Sequence, residues 1–238
     1  MLKRTLFTDC FMKYVSILFF LLLIAFKSQA QDPRWTNLPK YDDKFLHYGF
    51  TIGVNMSGFK DQVSKAYFKD TLKGAHSVYS PGFSLGFIVN ARLHEHFDLR
   101  FLPTVGFYTR SIVYDFNNNY PSVNQSIQST FIELPLLLKY KSQRRKNSRM
   151  YMIGGVKPSI EAGAKKNELL PSNLRTTGFD LCIDYGFGFD LYFALFKFSP
   201  EIRFSQGMLN LLNNDPNIYS SSLSKLTSHT ISLYLNFE

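Results

Sequence analysis

The 238-residue chain holds two cysteines, one tryptophan and few acidic residues, and it has almost no long apolar run. Each scarcity excludes something. Cys10 lies in a segment expected to be removed, which leaves Cys182 alone, so no internal disulfide can form even in an oxidising compartment. We read Cys182 as an unreactive interior residue. The one clear apolar run, Val15 to Phe26, is too short to cross a bilayer as a helix, and no later segment offers a helical span. Asp and Glu number 18 against 27 Lys and Arg, giving a net charge of +9. Part of the excess sits in Arg144, Arg145, Lys146 and Arg149, one short turn whose reading is a solvated connection rather than a nucleic-acid site. A phosphate-cradling glycine loop is missing, and no serine or threonine stands with a histidine and a carboxylate as acyl-transfer chemistry needs. His94-Glu95-His96 offers two ligands in a turn, an arrangement that more often faces water than a metal. No catalysis, cofactor, metal or small-molecule substrate is therefore expected.

What remains is organised. Lys13, the apolar run and Ser28-Gln29-Ala30 have the layout of a cleaved secretory signal, so residues 1–30 are read as a signal peptide, 31–43 as a periplasmic segment and 44–238 as a single domain. The leader carries Lys3, Arg4, Lys13, Lys27 and Asp9, so its removal lowers the net charge from +9 to +6.

From Phe179 to Leu191 the chain alternates strictly. Phe179, Leu181, Ile183, Tyr185, Phe187, Phe189 and Leu191 interleave with Asp180, Cys182, Asp184, Gly186, Gly188 and Asp190. A period of two puts the apolar side chains on one strand face and the polar ones on the other. Thirteen residues exceed the roughly 9 to 11 that a membrane strand needs. Seven further segments repeat the pattern, around residues 48–57, 83–93, 97–110, 132–141, 151–164, 196–205 and 230–237. Ile88 and Leu137 fall on the polar side, and Gly154, Gly155 and Pro158 blur the fifth segment so that its inward face is not legible. Pro103, Pro135 and Pro200 predict bulges or weakened pairing. Short connections alternate with long ones near 60–79, 115–127, 165–176 and 208–227. This spacing predicts an all-β fold, an eight-stranded antiparallel up-and-down transmembrane β-barrel, with both termini and the short turns periplasmic and the long loops extracellular.

A soluble lipocalin-like barrel would turn the same faces the other way. The aromatic face is nearly free of charge and the polar face carries glycine and serine that suit a narrow interior, so the membrane reading is preferred and outer-membrane lipid is the expected surroundings. Eight strands enclose only enough room for side chains. The charges on the polar face, among them Arg100, Glu133, Lys139, Asp180, Asp184, Lys197, Glu201 and Arg203, must therefore pair in an internal network. Glu133 is expected to face basic groups of strands three or seven.

The segment Asn37-Leu38-Pro39-Lys40-Tyr41-Asp42-Asp43-Lys44, with Pro81-Gly82-Phe83-Ser84-Leu85-Gly86, Phe97-Asp98-Leu99-Arg100-Phe101, Phe131 to Lys141, Gly186 to Asp190 and Phe198-Ser199-Pro200-Glu201, resembles the PorT family of Bacteroidota outer-membrane proteins. The resemblance implies an outer-membrane barrel required for protein export by the type IX secretion system and associated with gliding motility, whose partners are other secretion components, and it implies no catalytic residue. On that footing Trp35, Asn37, Leu38, Pro39, Lys40, Tyr41, Asp42 and Asp43 are candidate partner contacts. An equal alternative has this segment packing back under its own barrel. A generic structural or adhesive barrel and a membrane-embedded lipid enzyme remain as other readings.

Overall fold

The computed structural model describes residues 36–63, 72–116, 122–162, 177–212 and 223–238. The expected signal peptide and Trp35 lie outside them. The elements are β1 (Leu46–Val63), β2 (Leu72–Val78), β3 (Ser80–Arg92), β4 (Phe97–Phe101), β5 (Thr104–Phe116), β6 (Val123–Glu133), β7 (Leu136–Lys141), β8 (Ser148–Glu161), β9 (Phe179–Tyr192), β10 (Lys197–Gly207) and β11 (Leu223–Phe237). No helix among the described residues is long and apolar enough to cross a membrane.

The pairs β2 and β3, β4 and β5, and β6 and β7 are successive halves of single spans, so the eleven segments make eight spans. Each span pairs antiparallel with the next, and β1 pairs with both β3 and β11, which closes the ring. Closure leaves no free sheet edge along the lipid-facing band, the way a sheet satisfies its backbone polar groups in lipid, and past that band β2 pairs with β5 alone.

The registers also fix the slant. Cross-strand partners lead from Leu46 through Ala91, Leu99, Leu138, Gly154, Tyr185, Phe204 and Ile231 back to β1 at Met56, ten residues beyond the start. A stagger of that size over eight strands tilts them by about 40° and sets the backbone roughly 8 Å from the axis. Such a bore holds side chains and no channel.

The prolines meet one half of the expectation. Register runs unchanged across Pro103, Pro135 and Pro200, so none marks a bulge, but pairing is weakened: the strands are interrupted at 102–103 and 134–135, and the β9–β10 ladder skips 199–200. Each lacks only its N–H, while the Pro103 and Pro135 carbonyls still accept from Phe87 (3.0 Å) and Leu102 (3.1 Å). The strands also reach into regions read as long loops. β1 continues to Val63 and β2 covers 72–78 within the loop read at 60–79, β5 runs on to Phe116 and β6 starts at Val123 within 115–127, and β11 starts at Leu223 within 208–227. The pleat outlasts the apolar alternation because that end of the barrel has its own dry filling of Phe59, Ile112, Tyr114, Ile127, Leu211 and Leu226.

The outer wall is aromatic and aliphatic. Phe87 is 70% exposed and Tyr48 67%, and Phe50, Ile52, Val54, Met56, Phe83, Leu85, Ile183, Tyr185, Phe187 and Leu233 stand out beside them. From Tyr48 to Met56 the tilted strand rises about 20 Å, near the roughly 25 Å of an outer-membrane apolar band. The fifth span, illegible in the sequence, turns Tyr151, Ile153, Lys157 and Ser159 inward and Met150, Met152, Val156 and Ile160 outward. Ile88 and Leu137, the exceptions to alternation, meet Leu102, Tyr151 and Ile153 as an apolar patch on the lumen side.

Replacing Val54 by lysine is expected to destabilise the inserted barrel by about 2–4 kcal/mol, the lipid-face penalty for a basic residue near mid-bilayer. Urea unfolding of the protein in lipid vesicles measures it, and an unchanged midpoint would mean that this face does not meet lipid.

Candidate functional site

The lumen is built around a repeated local unit in which a tyrosine ring lies against a strand glycine. A Cβ on Gly188 would sit 2.5 Å from the Tyr151 ring, one on Gly106 2.5 Å from Tyr108, and one on Gly53 2.6 Å from Tyr234. Gly53↔Tyr234 and Gly188↔Tyr151 are direct cross-strand partners. Each ring's free face takes a cation: Lys139 Nζ is 3.7 Å from the Tyr151 centroid, Arg203 4.2 Å from Tyr234 and Arg110 5.1 Å from Tyr108. The hydroxyls are also used. Tyr151 donates to Glu201 (2.9 Å), Tyr108 donates to Glu133 (2.7 Å), and Tyr234 accepts from Ser84 (3.4 Å).

Carboxylates join these units across the bore. Arg100 of β4 reaches Glu201 of β10 (3.2 Å) and Glu238 (2.8 Å), and Glu201 also accepts from Arg203. Asp190 binds Lys139 (2.8 Å) and Arg149 (2.8 Å) and accepts from Ser199 (2.7 Å). Lys197 meets Glu238 at 2.9 Å. Asp184 lies 3.9 Å from Arg203 and 4.0 Å from Lys157, while Asp180, against expectation, has no ion pair among the described residues and accepts from Ser228. Arg100, Glu133, Lys139, Asp180, Asp184, Lys197, Glu201 and Arg203 are thus all buried in the lumen. Glu133 differs from expectation in its partner, which is Lys157 of the adjacent β8 at 3.1 Å and no base from strands three or seven. Its register neighbour across β6 and β8 is Ser159, two residues from Lys157, so β8 brings the nearest cation.

Four members were not picked out in the sequence. Arg149 and Lys157 sit on the span whose glycines hid the alternation, Lys141 lies on the polar face of its strand, and Glu238 follows the last strand. Arg149, with Arg144, also corrects the reading of 144–149 as a solvated turn. Arg145 and Lys146 are exposed, but Arg144 lies over the Tyr192 ring at 3.7 Å and Arg149 is buried between Asp190 and Asp42.

These arginines hold residues 37–44, which fold as turns across the short-turn mouth. The Tyr41 ring stacks on His47 (4.1 Å) and packs edge-on to Tyr192 (5.8 Å), with Lys197 over it at 4.6 Å. Its hydroxyl donates to Glu238 at 3.1 Å. Asp42 takes Arg149 (3.0 Å) and the Tyr192 hydroxyl (3.3 Å), and its carbonyl accepts from Arg92. Asn37 bonds Asn147 (2.8 Å) and the Tyr192 carbonyl (2.9 Å), and Arg144 donates to the carbonyls of Asn37 and Leu38. That clamp holds Leu38 at a φ of 48°, a left-handed conformation costing a leucine roughly 1–2 kcal/mol. Pro39, Lys40 and Asp43 stay exposed.

The closure's acid and phenol are shifted by their surroundings. Burial alone would raise Glu238, but Lys197, Arg100 and Lys139 outweigh it and hold its carboxyl down at about 2. Burial, then Glu238, pushes the Tyr41 hydroxyl well above its ordinary value, so it remains a donor. Among the described residues no group of three or more His, Cys, Asp or Glu could hold a metal. Cys182 is buried and free.

A closed antiparallel ring, greasy outside and ion-paired inside, is a membrane-spanning barrel of the outer-membrane class. The family model described as the outer membrane protein beta-barrel domain matches residues 29–213, and the chain belongs to that family. Among solved structures the chain is similar to the outer membrane protein OprG of Pseudomonas aeruginosa, at 11% identity over 81% of this chain and 91% of that one, TM-score 0.46. It is similar also to Neisserial surface protein A, at 9% identity over 81% and 98%, TM-score 0.41. A third is Ail, the attachment invasion locus protein of Yersinia pestis, at 11% identity over 82% and 98%, TM-score 0.34. No curated protein matches the chain.

Two outcomes test this site. Glu201→Gln leaves Arg100 and Arg203 facing a neutral amide and is expected to cost about 3–5 kcal/mol, the range for breaking a buried ion pair, read by urea unfolding in vesicles. Glu238 has a depressed folded pKa, so its stabilisation is complete above the ordinary carboxyl value near 4.3 and is lost as pH falls through about 2. A spin label at Lys40→Cys in a Cys182→Ala background should stay immobile at pH 4 and loosen only toward pH 2. Loosening at pH 5 would show that Glu238 does not hold the segment.

Proposed function

We propose that this outer-membrane barrel is a non-catalytic accessory or anchoring component of the type IX secretion system, working through its surfaces and not as a conduit. The observation that carries the non-conduit part is the filled lumen, where Arg100 and Glu201 join opposite walls, Lys139 reaches past β8 to Asp190, and Arg203 pairs with Glu201 along β10. Residues 37–44 then cover one mouth. A bore of this width with side chains tied across it passes no polypeptide. The secretion role rests on the PorT resemblance of residues 37–44 and the strand segments quoted with it.

In this reading the short-turn end and residues 31–43 face the periplasm and the long connections face outward, as short turns do in outer-membrane barrels. Asn37, Tyr41 and Asp42 serve the barrel itself, so partner contact falls to the exposed Pro39, Lys40 and Asp43 together with Trp35. A generic structural or adhesive barrel is the second reading, favoured by the same sealed lumen.

Deleting the gene is expected to abolish export of type IX cargo while other outer-membrane proteins still assemble. Unchanged export with altered adhesion or envelope integrity would favour the second reading instead. Removing residues 33–43 from a barrel that still inserts should likewise stop export, and export that survives would end the partner-contact role of this segment.

A further inference from the structure

Beside the closed mouth, on the outer wall, a groove of about 770 Å³ is lined by Tyr140, Met150 and Phe189 on one side and by His96, Arg145, Arg149, Ser142, Gln143 and Ser148 on the other. Its volume lies within the roughly 300–1,000 Å³ usual for small-molecule sites. The apolar wall continues the lipid-facing belt, because Tyr140, Met150 and Phe189 are all exposed outward-pointing strand residues. The polar side belongs to the turn that ends the apolar alternation. A second cavity of about 340 Å³ shares His96, Ser142, Gln143 and Arg149 with it and adds Arg92, Lys141, Arg144, Asp42 and Glu95. Across the two, arginine and lysine outnumber acids. Most of those cations are engaged: Lys141 by Asp98 at 2.6 Å, Arg149 by Asp190 and Asp42, and Arg144 and Arg92 by the 37–44 segment. Arg145 makes a backbone bridge to Ser148, and its side chain has no ion pair among the described residues.

We propose that this groove is a phospholipid site. An acyl chain lies along Tyr140, Met150 and Phe189, and the anionic phosphate of its headgroup is taken by Arg145; the Ser142 and Ser148 hydroxyls and His96 Nδ1 beside it are already bonded to the Gln143, Arg145 and Lys141 carbonyls. The lipid comes from the leaflet at the short-turn end. A membrane amphiphile fits better than a soluble anion because the groove's apolar side opens sideways onto the belt, at the level where tails give way to headgroups. A basic side chain beside anionic lipid contributes about 1 kcal/mol, which sets the scale of the test. The proposal rests on the outer-membrane location and is independent of the secretion role.

The test is native mass spectrometry of the full mature barrel in uncharged detergent, titrated with phosphatidylglycerol and, in parallel, phosphatidylcholine. The wild type should retain one tightly held phosphatidylglycerol and release it far more slowly than phosphatidylcholine. Arg145→Gln should weaken retention about five-fold and Arg145→Glu about thirty-fold, with Arg145→Lys close to wild type. Lys60→Gln, at the opposite end of β1, should change nothing. Millimolar inorganic phosphate should not displace the lipid. Equal retention by wild type and Arg145→Glu, equal loss in Lys60→Gln, or displacement by inorganic phosphate would each overturn the site. Arg145 is exposed and has no ion pair among the described residues, so its variants are expected to fold, and heat-modifiable migration on gels verifies this for each.

Discussion

Everything in this barrel depends on neutralising charge inside a bore too narrow for bulk water. Eight strands with a ten-residue stagger leave room for side chains alone, so lumen carboxylates and cations pair with one another along a strand, between neighbours or across the ring. Taking an ion out of water costs several kcal/mol even after relaxation, and one missing partner would leave that cost uncompensated. Glu201 between Arg100 and Arg203, and Asp190 between Lys139 and Arg149, show how single carboxylates serve two cations. The tyrosines add a second means, since an aromatic face accepts a cation without contributing another charge. That economy explains why Tyr108, Tyr151 and Tyr234 stand on the otherwise polar inner wall.

Much of this was legible in the chain because strand periodicity is strict. Phe179 to Leu191 declared its two faces outright, and from that pattern the ring of eight spans, the aromatic exterior and the inward position of Arg100, Lys139 or Asp184 could be read. Where legibility failed, the cause was local. Gly154, Gly155 and Pro158 carry no facing signal, so Arg149 and Lys157 went unassigned. Prolines suggested bulges because their missing N–H is visible in sequence, whereas the carbonyl that keeps accepting is not. The partner of Glu133 depends on which cation on an adjacent strand reaches farthest, a matter of register and side-chain length that no single strand encodes.

The closure of the short-turn mouth shows the same limit. Nothing in Asn37 to Lys44 announces that Tyr41 meets Tyr192 and Glu238 or that Asp42 meets Arg149, because those contacts join residues far apart in sequence. Yet they extend the lumen network outward: Glu238 takes Arg100 and Lys197 from within and the Tyr41 hydroxyl from the covering turn. Interior and cover are one continuous electrostatic unit. Loosening the cover therefore perturbs the lumen, and the exposed Pro39, Lys40 and Asp43 are mechanically connected to the core.

The seam between the first and last strands has a further meaning. Pairing of β1 with β11 runs from Phe50↔Phe237 to Gln62↔Lys225 without a shift, and the Phe50 and Phe237 rings stack across it at 4.9 Å. Among the described residues this join is as continuous as the other strand pairings, and the Ser57 and Thr230 hydroxyls meet across it at 3.1 Å on the inner face. The place where the two ends of the chain meet is therefore no thinner in backbone bonding than the rest of the wall.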